Sequence, residues 1–169
     1  ESLVSVHHDI VMMFFLIWSI YYLMNINYIR SLFLFVLSVG IKFSTVILLP
    51  VILWVVLKKV RAMEIDWEKV FLASLFLSIG AIVLASFRTE LQPWYVIWAL
   101  PFVSLLPGKK WITVPSIIIS FALLLHYVPF LYTGNWNPPI PTIKSFINVS
   151  ALILAAVSAV WYRKGKVIQ

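Results

Sequence analysis

Apolar residues come in repeated runs of bilayer-spanning length, separated by short polar clusters. Residues 10–25 form the first run, rich in Met, Phe and Ile, with Tyr21 and Tyr22 near its end as interface anchors. Asn25 to Arg30 is a polar turn. Residues 31–57 then read in two ways. As one helix, 27 residues would rise about 40 Å, too long for a hydrocarbon core of about 30 Å unless tilted. The middle of the run is Gly40-Ile41-Lys42-Phe43-Ser44, with Lys42 its single ionisable residue. A lysine at the centre of a lipid-facing helix costs several kcal/mol, about 3 on insertion scales. The favoured reading is therefore a hairpin, 31–41 and 43–57, with Lys42 at its tip and Pro50 kinking the second arm.

A charged connector follows over 58–69, and Asp66 is placed to cap a helix over 67–86. Residues 91–106 read as a membrane helix opened by Pro93, whose missing N–H costs nothing in a first turn. Pro101 falls inside that helix and kinks it. Residues 111–126 span again, 127–143 form the longest loop, and 144–162 make the last span before a basic tail. The expected fold is an all-α integral membrane protein of about seven transmembrane or re-entrant helices, several short or Pro-kinked. Residues 1–169 are expected to form one polytopic domain. The chain opens on Glu1-Ser2-Leu3, which suggests the C-terminal part of something longer.

Composition strengthens the membrane assignment. Hydrophobic residues make up 63% of the 169, mean hydropathy is +1.02, and only 11% are charged, against about 25% in a soluble domain. With no cysteine, disulfides, thiolate metal sites and cysteine catalysis are excluded. The net charge of +7 sits in short loops, the pattern of membrane orientation, and no nucleic-acid partner is expected. Under the hairpin reading one face collects Arg30, Lys58, Lys59, Arg61, Lys69, Lys109, Lys110, Arg163, Lys164 and Lys166. The other receives Lys42, Arg88 and Lys144. Basic loops and the C-terminal tail are thus expected in the cytoplasm. With a single long helix the split is nine against three, Lys42 uncounted, so the position of His7–Asp9, not charge, separates the two readings. Only the hairpin puts those residues outside with Lys42 and Arg88.

Of six acids, Asp9 and Glu90 remain plausible on the outer face. Three others lie in the connector, and Glu1 is terminal. Lys42 and Arg88 suit neutralisation of a phosphate. Neither is needed to fill an apolar core, so replacing either should leave folding nearly unchanged. His7, His8 and His126 complete the polar set. Plainer roles stand beside these: Arg88 and Glu90 as interfacial residues, Lys42 as a snorkelling side chain, Trp94, Tyr95 and Trp98 as an aromatic belt. Adjacent His7 and His8 have poor chelating geometry on a helix, so no metal site is assigned.

Gln92-Pro93-Trp94-Tyr95-Val96-Ile97-Trp98-Ala99-Leu100-Pro101 resembles the QPWYxxWxLP segment of multi-spanning GT-C glycosyltransferases. The likeness is greatest to prokaryotic enzymes that use polyprenol-phosphate-mannose. His7-His8-Asp9-Ile10-Val11-Met12 resembles the HND-x-x-M entry to a membrane helix, with His8 in place of Asn. Ile41-Lys42-Phe43 through Pro50 resembles a K[FY]-x-x-x-x-L-x-P helix of the same class. The likeness covers about residues 7–101. It implies inverting transfer of mannose or another hexose from a polyprenyl-phosphate donor to an acceptor at the outer face of a prokaryotic plasma membrane.

The implied phosphate-binding residues are Lys42 and Arg88. The candidate substrate-binding residues are His7, His8, Gln92, Trp94, Tyr95, His126 and Trp136, the last two outside the stretch of likeness, with Asp9 and Glu90 as auxiliary catalytic candidates. The family's catalytic acid usually lies in an outer loop upstream, so the chain is expected to lack it and to need the rest of its own chain before Glu1. Membrane lipid and the donor are the expected partners. No cofactor is implied, although the residues are compatible with a divalent cation. The principal rival is a transporter or channel segment with a polar cavity around Lys42 and Arg88. A multi-spanning acyl- or phosphotransferase is a third class.

Overall fold

A computed structural model describes residues 7–164. It is all-helical, with no strand among the described residues. Lys166 of the expected basic tail and Glu1 lie outside the described residues. The chain divides into two compact units, Glu1–Leu106 and Pro107–Gln169.

In the first unit, α1 (His7–Met24) and α2 (Tyr28–Ile41) form an antiparallel hairpin. The inward stripe of α1 is Asp9, Met12, Leu16, Ile20 and Leu23, at the three- and four-residue spacing of one helical face. Buried serines let the two backbones approach. Ser19 Oγ donates to the Ser31 carbonyl at 2.7 Å, and Ser38 Oγ to the Met12 carbonyl at 2.9 Å, bonds well suited to a medium without water. Asn27 caps α2 by accepting from the Arg30 N–H.

At Lys42 the α-helix stops and the backbone becomes extended, with φ −152° and ψ 120°. A 3-10 helix over Phe43–Leu48 and α3 (Leu49–Val60) then carry the chain back along α1. Two contacts fix that direction. Ser44 Oγ lies 3.4 Å from Met12 Sδ near one end, and Lys59 Nζ donates to the Leu23 and Met24 carbonyls, at 2.8 and 2.9 Å, at the other. Residues 31–57 are therefore a hairpin with Lys42 at the reversal. Pro50 does not kink a continuous arm. It sits in the first turn of α3, where winding changes from 3-10 to α.

Asp66 caps α4 (Trp67–Arg88) by accepting from the Lys69 N–H at 3.2 Å. The Lys69 side chain, with that N–H, holds the Asp66 carboxyl below the ordinary aspartate range. Against α1 and α3, α4 turns small and apolar residues inward, among them Val70, Ser74, Ser78 and Ala81.

Residues 91–106 depart from the expected single kinked helix. They form a 3-10 helix over Pro93–Trp98 and then the short α5 (Leu100–Ser104). Each begins on its own proline: Pro101 stands in the first turn of α5, not in a helix interior. A ring without an N–H cannot continue the preceding segment, so two prolines eight apart give two starts.

The second unit contains α6 (Lys110–Leu125), α7 (Tyr127–Thr133) and α8 (Ile140–Lys164). The α6 and α8 helices run antiparallel: Trp111 meets Arg163 at one end, and His126 meets Asn148 toward the other. Residues 127–143 are not wholly loop, because 127–133 are helical up to Gly134, whose φ of 72° ends α7 in the left-handed region. Pro115 lies inside α6 near its start.

Four stretches are long and apolar enough to cross a membrane: Phe43–Val60, Trp67–Arg88, Lys110–Thr133 and Ile140–Lys164. Large apolar side chains such as Phe76, Phe121, Phe146 and Leu152 lie exposed along them. In water such surface would be a severe liability, whereas lipid tails cover it at no cost. The structure is that of a membrane-compatible helical protein.

Candidate functional site

The site is assembled at the end of the first unit where the hairpin reverses. Asp9 enters it because it occupies the first inward position of the α1 stripe, and it is only 1% exposed. Lys42 enters because α2 stops there, and its extended backbone turns the side chain toward α1. Its Nζ lies 2.6 Å from Asp9 Oδ1, and the Lys42 side chain retains 34% of its exposure. A buried carboxylate requires such a partner.

Two aromatics complete the enclosure. A 3-10 helix has three residues per turn, so Tyr95 and Trp98 of Pro93–Trp98 fall on one face, and both are buried. Trp98 Nε1 donates to Asp9 Oδ1 at 2.7 Å, a bond strengthened by the acceptor's charge. The Lys42 ammonium lies 4.8 Å from the Trp98 ring centroid and 5.4 Å from that of Tyr95. At those distances both rings add cation–π attraction. The rings themselves are 4.8 Å apart.

Tyr95 is anchored in turn by Thr89, which follows α4. The two hydroxyls are 3.0 Å apart, and the Thr89 hydroxyl also lies 3.1 Å from the Ala85 carbonyl. A carbonyl can only accept, so Thr89 donates to Ala85 and Tyr95 donates to Thr89. The Tyr95 proton is thereby engaged within the protein, and the tyrosine serves as a wall beneath Lys42.

Other expected site residues fall as follows. Arg88 is the last residue of α4 and is exposed; Glu90 is exposed just beyond it. Gln92 and Trp94 are half-buried, and Trp94 packs edge-on against Tyr95. His8 is exposed, while the side chain of His7 lies outside the described residues. His126 and Trp136 belong to the second unit. There, His126 is buried with Nε2 2.8 Å from Asn148 Oδ1, and Trp136 stacks on Phe130 at 4.4 Å with the Lys144 ammonium 5.1 Å from its ring.

Trp98 and Thr89 were not expected in the site. For Trp98 the available signal was its three-residue offset from Tyr95 after a proline; Thr89 had none.

The resulting arrangement is a lysine ammonium pinned from below by a carboxylate and two rings, with part of its surface open. Chemically it offers a fixed cation to an anion. Comparison of the chain with protein-family models, with characterised proteins and with solved structures finds no match.

Proposed function

We propose that this chain contributes the donor- and phosphate-binding part of a protein that transfers a sugar, mannose or another hexose, from a polyprenyl-phosphate donor to an acceptor at the outer face of a prokaryotic plasma membrane. One observation carries this reading. The three stretches resembling GT-C transferases lie far apart in sequence, with Asp9 and Trp98 separated by 89 positions, yet they meet at a single carboxylate oxygen. Chance likenesses in three unrelated stretches would have no reason to converge.

Seven segments cross or re-enter the bilayer in this reading: α1, α2, the 43–60 arm, α4, residues 93–106, α6 and α8. Basic loops and tail face the cytoplasm. A 14-residue α2 rises about 21 Å, less than the ~30 Å hydrocarbon core. Lys42 then stands below the level of bulk water, where a charge interacts more strongly. Inverting transfer breaks the bond from the anomeric carbon to the phosphate oxygen and forms one to the acceptor oxygen. The electron pair leaves with the phosphate, and the acceptor loses its proton to a base that the family resemblance places outside residues 1–169. Negative charge therefore grows on phosphate as the bond breaks, and pre-positioned cations lower that barrier. Lys42 and the exposed Arg88 take this role, while Trp94 and Gln92 at the half-buried rim are available to the sugar.

The decisive experiment uses the full-length protein, including the outer loop expected to carry the base, in liposomes with a polyprenyl-phosphate hexose labelled in the sugar; residues 1–169 alone should release no polyprenyl phosphate. Free polyprenyl phosphate should appear one-for-one with sugar on the acceptor. Helix interruptions beside a partly buried cation, as at Lys42, are also found in transporters. Solute movement across the vesicle without donor consumption would establish that rival instead.

Topology has its own test. A cysteine replacing Phe43, exposed at the hairpin tip, should react with an impermeant thiol reagent from outside. One replacing the exposed Met63 should react only after the membrane is opened. Labelling of both from the same side would remove the hairpin from the outer face.

A further inference from the structure

We infer that Asp9 is a positioning residue that acts through Lys42, and not a proton acceptor in the reaction. The role in turnover rests on the transferase reading above; the hold on Lys42 does not. A general base must reach the proton it removes and have an acceptor lone pair directed at it. Asp9 is 1% exposed, which keeps both carboxylate oxygens out of reach of an acceptor's proton, and its Oδ1 already accepts from an ammonium at 2.6 Å and an indole at 2.7 Å. Both donors come from chain segments other than its own. What the carboxylate does is join α1, the hairpin reversal and the Pro93–Trp98 helix around one cation.

The consequence concerns the remaining Lys42 donors. An ammonium has three N–H groups. One points to Asp9, and the Tyr95 and Trp98 rings limit where the others can turn. A lysine on a flexible four-carbon stem would otherwise wander, which is its usual weakness as an anion-binding group. Here the anchor restricts it, as a second layer of contacts restricts any well-made site. Asp9 thus converts a mobile charge into a fixed one, facing the partly open side of the site.

Asp9→Asn tests this, because the amide keeps the shape and an oxygen for the Trp98 N–H while losing the charge that holds Lys42. Two readouts are needed. The rate of Lys42 modification by an impermeant amine reagent, followed by mass spectrometry, should rise about threefold or more as the side chain is released toward water. In the full-length protein donor turnover should fall about tenfold with donor KM changed less than about twofold, and the acidic limb of the pH–rate profile should persist.

Loss of the acidic limb together with turnover would make Asp9 the base and overturn the inference. Unchanged Lys42 modification would also overturn it, since Asp9 would then not hold the lysine. If the full-length unmodified protein consumes no polyprenyl-phosphate donor but Asp9→Asn still exposes Lys42, the transferase reading falls and the positioning contact stands.

Discussion

Lys42→Met is expected to lower the stability of the first unit by about 3 kcal/mol, more than Asp9→Asn. The asymmetry follows from burial. Removing the ammonium strands a carboxylate whose side chain is 2% exposed, and the Trp98 N–H is then the remaining bonded donor on Oδ1. Breaking a buried pair from one side costs about 3–5 kcal/mol. The lower end applies because Lys42 is partly exposed and screened. Asp9→Asn leaves a neutral amide below and a lysine that can turn to water, so about 1 kcal/mol is expected. The double variant should be close to Asp9→Asn, because the stranded charge is gone. Urea unfolding in detergent micelles measures all three. Strict additivity of the two single losses would mean that the pair does not form in solution. The buried Asp9 carboxylate beneath Lys42 revises the expectation that this lysine can be replaced with little effect on folding.

In the full-length protein Arg88→Ala is expected to lower donor turnover at least about tenfold, equivalent to about 1.4 kcal/mol of transition-state stabilisation, and to leave stability nearly intact. Arg88 is exposed at the end of α4, where a cation gains less than about 1 kcal/mol from the helix dipole. Its expected contribution is instead to the phosphate charge that grows as the glycosidic bond breaks. Arg88→Lys should recover only part of the rate, since an ammonium lacks the fork that grips two oxygens at once. Steady-state rates with a polyprenyl-phosphate hexose, set beside unfolding curves, separate the two cations. Lys42 variants are expected to lose both properties and Arg88 variants only one. Full activity in Arg88→Ala would return that residue to the interfacial role its position equally suits.

Much of the architecture was legible along the chain. Runs of apolar residues mark the spans because hydrocarbon admits few charges. Asp66 announces the start of α4 through its side-chain oxygen, and an ionisable residue midway along 31–57 announces the reversal there. These are local properties, set by residue type and near neighbours. The same local rule misjudged 91–106, because it treated Pro101 as a defect in a continuing helix. With Pro93 only eight residues before it, the chain begins twice and winds as 3-10 between. That winding puts Tyr95 and Trp98 on one face, which no tally of aromatics at a boundary distinguishes from a belt.

The partnership at the site was decided by tertiary structure. Sequence named Asp9 and Lys42 separately, one as an auxiliary acid and the other as a phosphate ligand. Their contact depends on α1 and α2 packing antiparallel through Ser19, Ser31 and Ser38, and on the backbone extending at Lys42. Trp98 depends further on the Pro93–Trp98 helix being seated against α1. A side chain's type fixes what it can donate or accept, and helical period fixes which face it shares. Which donor reaches which acceptor is set by packing between segments distant in sequence. For that reason the charges of this protein could be read from its sequence, but their pairing could not.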